Sequence, residues 1–239
     1  MNSIIAAISF LTIVPIKNFK INNEIFRNSL KFFPLVGLIL GLIFYLVTLL
    51  PLNFEIIALL ITLCWIVITG GFHLDGVADL FDALGSLKDR AKAIEIMKDS
   101  RVGAMGVISI VLVILSKFVL IKNMLIINPF FLILPPVAGR FAINFLSWKI
   151  DYAKEEGLGK SIVEYTDDFT FIFSLIFTGV LFIMVNIKLI LLFIDLIFFL
   201  YFASIFFKRK FGGVTGDILG CMVEISEVFI LIGGLFFVS

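Results

Sequence analysis

Residues 54–82 read FEIIALLITLCWIVITGGFHLDGVADLFD, and the change of character in the middle of this stretch decides what kind of protein the chain is. The apolar run at 54–73 predicts a helix long enough to cross a hydrocarbon layer roughly 30 Å thick. Where it ends, the chain places its only histidine, His73, and three aspartates, Asp75, Asp79 and Asp82, within ten residues. The remainder repeats the first half of that pattern. With 29 Phe among 239 residues, 61% hydrophobic residues and a mean hydropathy of +1.17, the chain carries too much apolar surface to hide in a soluble core of this size. Helices are predicted near 32–50, 54–73, 102–122, 124–148, 169–186, 188–207 and 217–238.

The fold class is therefore an all-α integral membrane protein, a polytopic bundle of about six or seven transmembrane helices. Residues 1–16, interrupted by Pro15, are too short to span and lack the features of a signal peptide, so they are expected to form a short interfacial or bundle-packed helix. After Gly85, the residues Leu87, Ala91, Ile94 and Met97 recur at helical spacing and predict a short amphipathic helix outside the bilayer. No composition shift, linker or internal repeat divides the chain, so residues 1–239 read as one domain. The net charge of +1 argues against a nucleic-acid partner. Cys64 and Cys221, which share no metal-ligand spacing, read as small buried thiols.

The charges sort by side. With the N-terminus inside, segments 1–31, 74–101, 149–168 and 208–216 are cytoplasmic and hold fifteen of the nineteen basic residues, Lys17 among them; only Lys122 and Lys188 fall outside, with Lys117 and Arg140 in predicted spans. This bias is the positive-inside pattern, which predicts a multi-pass protein of the cell membrane with a cytoplasmic N-terminus and cytoplasmic catalytic loops. Most carboxylates gather on the same side, and the outer connections at 51–53, near 122 and at 186–188 are too short to hold a site.

Asp75, Asp79 and Asp82 are spaced i, i+4, i+7, one face of a helix. Three like charges on one stripe repel, so helix stability does not explain them. Hard cations such as Mg²⁺ use oxygen ligands of this kind and complete their shell with water and substrate phosphate; the alternative is a solvated loop face. Gly70, Gly71 and Gly76 bracket the cluster and permit sharp turns or close approach. His73 could be a general base, an orienting residue or an interfacial polar group. In DSRVGAMG, 99–106, Ser100 could cap the following helix and Arg101 suits a phosphate. Arg140, Glu224 and Glu227 lie inside spans, where charge is costly and tends to mark function. Asp195 is either a partner for Arg140 or a residue at the lipid edge. Asp217 and Glu224 are seven apart on one helical face, and Gly212, Gly213, Thr215 and Gly216 form a polar approach to that helix, a nest for an anion.

These strings together resemble a known family. FLTIVP (10–15), GGFHLDGVADLFDALG (70–85), IMKDSRVGAMG (96–106), GR (139–140) and GGVTGDILGCMVEISE (212–227) look like the successive motifs of the cobalamin synthase, or adenosylcobinamide-GDP ribazoletransferase, family. The resemblance implies a membrane-embedded transferase that joins adenosylcobinamide-GDP to α-ribazole or its phosphate, releases GMP and requires Mg²⁺. It implies Asp75, Asp79, Asp82 and Asp217 as metal ligands and Asp82, His73 and Arg101 as catalytic residues. Asp99, Ser100, Arg101, Arg140, Gly213, Thr215, Gly216 and Glu224 are then expected to bind substrate. The partners are these two substrates and the bilayer, with assembly as a homo-oligomer left open. Ala83 departs from the family, where glycine often follows the third aspartate. Two other readings share features with these residues. The Asp-Gly-x-Ala-Asp core is similar to CDP-alcohol phosphotransferases, although Asp79 stands where those carry arginine. A cation or solute transporter would want its acids at mid-membrane in paired halves, whereas most here lie at one mouth.

Overall fold

The computed structural model describes residues 2–15 and 20–238; Met1, Ile16 and Lys17 lie outside the described residues. The chain opens with α1 (Asn2–Leu11), whose Ala6, Ala7 and Leu11 are buried and whose Phe10 stacks on Phe33. This is a bundle-packed helix. Next, α2 (Asn23–Ser29) runs through a 3₁₀ turn, Leu30–Phe32, into α3 (Phe33–Thr48), and the three make one apolar stretch of 26 residues. The chain continues with α4 (Phe54–Thr69), α5 (Phe72–Gly85), α6 (Arg90–Ile96) and α7 (Ala104–Ile127). A second 3₁₀ segment, Pro129–Ile133, leads into α8 (Leu134–Lys149), followed by α9 (Leu158–Tyr165), α10 (Asp168–Val185), α11 (Leu189–Phe211) and α12 (Gly216–Phe237). Among the described residues, six helical segments are long and apolar enough to cross a membrane, and a seventh exists if the bent pair of α4 and α5 is one span. Among the described residues there is no strand, only one isolated bridge between Tyr152 and Val214.

The helix ends follow local chemistry. Asn22, Asn53, Asp89, Asp167 and Thr215 each accept a backbone N–H of the first turn that follows, which satisfies one of the donors a helix leaves free. The expected break near Lys122 is not there. The helix runs on to Ile127, because nothing at 122–125 stops it, and ends where Asn128 turns extended before Pro129. Nor does Ser100 cap α7: its N-cap is Gly103, with no side-chain cap of its own.

Helix α8 is the axis of the bundle, buried from Leu134 to Ser147 and enclosed by α3, α10, α11 and α12. Its backbone meets that of α3 at Gly37, and the 3₁₀ segment before it meets α3 at Gly41, where a β-carbon would sit 2.5 Å from the Ile133 carbonyl oxygen. Small residues four apart allow this approach when association rests on packing rather than on the hydrophobic effect. The outward faces of α4, α7, α10 and α11 present Leu, Ile, Val and Phe, a surface suited to lipid.

One end of the bundle gathers α5, α6, α9 and the loops 150–157 and 212–215. The opposite end holds short connections and an ion pair between Lys122 and Glu55 at 2.7 Å.

Candidate active site

The predicted helix at 54–73 ends early. Gly70 and Gly71 both take left-handed backbone conformations, φ 65° and 68°, which glycine adopts at little cost. The two residues turn the chain so that α5 leaves α4 at 87°. Thus α5 turns away from the axis of α4 and packs against α12 and α7.

Its seat on α12 is backbone against backbone. A β-carbon on Gly76 would lie 2.5 Å from the Asp217 carbonyl oxygen, and one on Gly220 would lie 3.4 Å from the His73 α-carbon. This contact brings the acidic motif of α5 to the start of α12. Asp75 and Asp217 line one cleft of about 660 Å³ with His73, Gly76, Lys98, Tyr152, Lys154 and Gly216, a volume within the usual range for small-molecule sites. Burial, and then the charges of Asp75 and Asp217, push the Asp79 carboxyl up to about 7, with Lys154 opposing. Asp79 therefore feels both neighbouring carboxylates, one on its own helix and one on α12.

The loop 150–157 closes the other wall. The Ala153 N–H donates to the Val214 carbonyl at 2.8 Å, and the Val214 N–H donates to the Asp151 carbonyl at 2.9 Å. Gly159 packs so near Gly216 that its β-carbon would meet the Gly216 α-carbon at 2.9 Å. These pairings place Lys154 in the cleft, its ammonium 2.7 Å from Asp217 Oδ2. Thr215 accepts from Ile218 N–H and donates to Asp217 Oδ2 at 3.2 Å.

Other expected site residues stand differently. Both Asp82 oxygens are taken by backbone donors, Gly103 N–H at 2.6 Å and Gly106 N–H at 2.8 Å, so Asp82 supplies from α5 the cap that α7 lacks. Asp99 and Arg101 hold each other in a forked pair, which keeps the Asp99 carboxyl down at about 2; Ser100 is an exposed neighbour. Gly213 lies against the Asp151 carbonyl. Arg140 and Glu224 do not line the cleft. Each is buried in an ion network inside the bundle: Lys117 donates to Glu224 at 2.6 Å and to Glu227, Arg140 pairs with Glu227, and the Lys117 ammonium sits 4.0 Å from the Trp65 ring centre. The partner of Arg140 is thus Glu227 rather than Asp195. His73 is 8% exposed and its Nδ1 has no hydrogen-bond partner.

Lys98, Tyr152 and Lys154 line the cleft without having stood out in the sequence. Tyr152 and Lys154 become meaningful only when their loop pairs with residues 212–216, and Lys117, a costly charge inside an apolar run, belongs to the buried ion network and not to the cleft.

Among the described residues, no three His, Cys, Asp or Glu side chains form a ready metal-ligand group. The donor set still suits a hard divalent cation of the kind held by one or two carboxylates, with water and phosphate completing the shell. Carboxylates from two helices adjoin, and the cleft already draws one cation, Lys154, onto Asp217.

The family model for cobalamin-5-phosphate synthase matches residues 3–235. The chain belongs to the cobalamin-5-phosphate synthase family. Curated relatives named adenosylcobinamide-GDP ribazoletransferase match most of its length. That of Clostridioides difficile strain 630 is 36% identical over 97% of this chain and 96% of its own, and that of Acinetobacter baumannii strain ACICU is 38% identical over 94% and 93%. The Brevibacillus brevis relative is 36% identical over 97% of both chains. No solved structure matches the chain. A cobalamin-5-phosphate synthase is a transferase, and here its motifs on α5 and α12 meet at one cleft.

Proposed function

We propose that this chain joins adenosylcobinamide-GDP to α-ribazole or α-ribazole phosphate, forming adenosylcobalamin or its phosphate and releasing GMP. In this step a ribazole hydroxyl attacks the phosphorus that bears the cobinamide arm. A new P–O bond forms, the bridging P–O bond to GMP breaks, and the hydroxyl proton is taken up by a base. The observation that carries this reading is the meeting of Asp75 from α5 with Asp217 from α12 in a cleft that also holds Lys98 and Lys154, with Asp79 near enough to feel both carboxylates, a mixture of acids and ammonium groups suited to a metal-loaded diphosphate.

Asp75, Asp79 and Asp217 would hold Mg²⁺, with Asp82 a weaker candidate because its oxygens are occupied. When bound, the ion would neutralise charge on the diphosphate. Lys98, which also lines the cleft, is a candidate to bind phosphate oxygens, and Arg101 is a further one if it exchanges Asp99 for phosphate. His73 lines the cleft and its Nδ1 has no hydrogen-bond partner, which makes it our candidate to take or orient the hydroxyl proton. We place the site end of the bundle in the cytoplasm and the protein in the cell membrane, because fifteen of nineteen basic residues fall in the segments assigned to that side.

The test is GMP release by the purified protein in nanodiscs, given both precursors with and without Mg²⁺. GMP formation that needs both substrates and is lost in Asp75→Asn supports the reading. Release of GMP that does not depend on ribazole, or an unchanged rate in Asp75→Asn, overturns it.

A further inference from the structure

The cleft contains acids on two helices and one cation already committed to them. The Lys154 ammonium donates to Asp217 Oδ2 at 2.7 Å, and its side chain is 11% exposed. Two backbone hydrogen bonds to Val214 fix the loop that carries it. Its own four-carbon stem, by contrast, is flexible and ends in three donors. The same cleft is lined by His73, more than nine-tenths buried, whose Nδ1 lacks a partner. Lys154 thus occupies an oxygen of the carboxylate that a divalent cation in this cleft would need.

A divalent ion and an ammonium cannot both sit on one carboxylate oxygen without strong repulsion. Moved off Asp217, the ammonium remains in the cleft, where its strongest available partner is an anionic oxygen of the incoming diphosphate. We propose that Lys154 is an exchangeable counter-ion: it holds Asp217 while the acidic cluster is empty, yields it to the divalent metal, and then binds the diphosphate of the substrate. This inference rests on the function proposed above for the same cleft. It adds a phosphate-binding role to a residue outside the motifs and predicts an order, metal before nucleotide.

The test compares wild-type protein with Lys154→Gln and Lys154→Arg in nanodiscs, using Mn²⁺ and GDP as probes. Free Mn²⁺ is read by its paramagnetic resonance signal. In Lys154→Gln, Mn²⁺ should bind about tenfold more tightly without nucleotide, while GDP binding in saturating Mn²⁺ should weaken about tenfold, since a close like charge leaves one site and a close opposite charge leaves the other. Lys154→Arg should stay near wild type on GDP. A purely structural ion pair would loosen the loop and weaken both, so weaker or unchanged Mn²⁺ binding in Lys154→Gln overturns the proposal.

A second measurement needs no variant. Labelling of the wild-type Lys154 amine by an impermeant acylating reagent should rise when Mg²⁺ alone is added and fall again with GDP. Labelling that ignores Mg²⁺ also overturns it. If wild-type protein fails to release GMP from adenosylcobinamide-GDP while the opposed shifts persist, the substrate assignment falls and the counter-ion exchange stands.

Discussion

Gly76 and Asp217 touch through their backbones: a β-carbon on Gly76 would sit 2.5 Å from the Asp217 carbonyl oxygen and 3.1 Å from the Cys221 nitrogen. Neither neighbour is the end of a flexible side chain, so Gly76→Ala must push α5 away from α12. Overpacking of this kind costs about 1–3 kcal/mol, and the displacement separates Asp75 and Asp79 from Asp217. Gly76→Ala is expected to lower the thermal midpoint in detergent and to cut GMP release at least about tenfold, as small misplacements at a reaction centre do. By contrast Gly216→Ala, whose β-carbon would have only Gly159 N at 3.8 Å, should leave the thermal midpoint unchanged.

Asp82 and its two companions on α5 separate by what they do for the fold. With Asp82 oxygens bound to Gly103 and Gly106 N–H groups, Asp82→Ala removes a cap and is expected to cost about 1–2 kcal/mol of stability. Mn²⁺ affinity should change little. For Asp75→Asn and Asp79→Asn the expectation reverses: stability holds or rises because like charges are relieved, while Mn²⁺ binding falls steeply. Chemical or thermal unfolding beside a metal titration reads both. Equal loss of metal binding in all three would return Asp82 to the ligand set.

How much of this was readable beforehand can be seen from individual residues. The spans were legible because lipid demands long apolar runs, and the Asp75, Asp79, Asp82 stripe was legible because it breaks that demand at helical spacing. The turn of α5 was signalled by Gly70 and Gly71 but not its 87° angle, since two left-handed residues can aim a chain in several directions and α12 selects one. The end of α7 was misplaced near Lys122 because a polar pair at 122–123 looks like an exit from the bilayer; Lys122 instead reaches Glu55. Helix α9 is short and flanked by polar residues, so its pattern is weak. Lys154 carries no motif of its own, and its role depends on pairing with residues some 60 positions away, which no local pattern encodes.

A metal ion bound only by the folded cluster must stabilise the fold. At a concentration one hundred times its Kd the linkage contributes about 2.7 kcal/mol. Raising Mg²⁺ should therefore increase the thermal midpoint of the wild-type protein in detergent, and chelation should reverse the gain. Asp217→Asn should flatten the response. A midpoint that climbs equally in Asp217→Asn would place the stabilising ion elsewhere.

The buried network offers the sharpest test of the bundle interior. Lys117, Arg140, Glu224 and Glu227 carry two charges of each sign, all nearly inaccessible, and Lys117 alone joins both glutamates. Lys117→Met leaves one negative charge uncompensated in a medium where that is costly, an expected loss of about 3–5 kcal/mol. Pairing it with Glu224→Gln restores neutrality and leaves Arg140 on Glu227, so the double variant should recover most of that loss. Glu224→Gln alone should be nearly as harmful as Lys117→Met, because it strands the opposite charge. Thermal midpoints of the two single variants and the double variant form a complete cycle. Recovery in the double variant would show that the network is needed for its charge balance; two additive losses would show that each side chain matters for its own contacts, including the packing of Lys117 over Trp65.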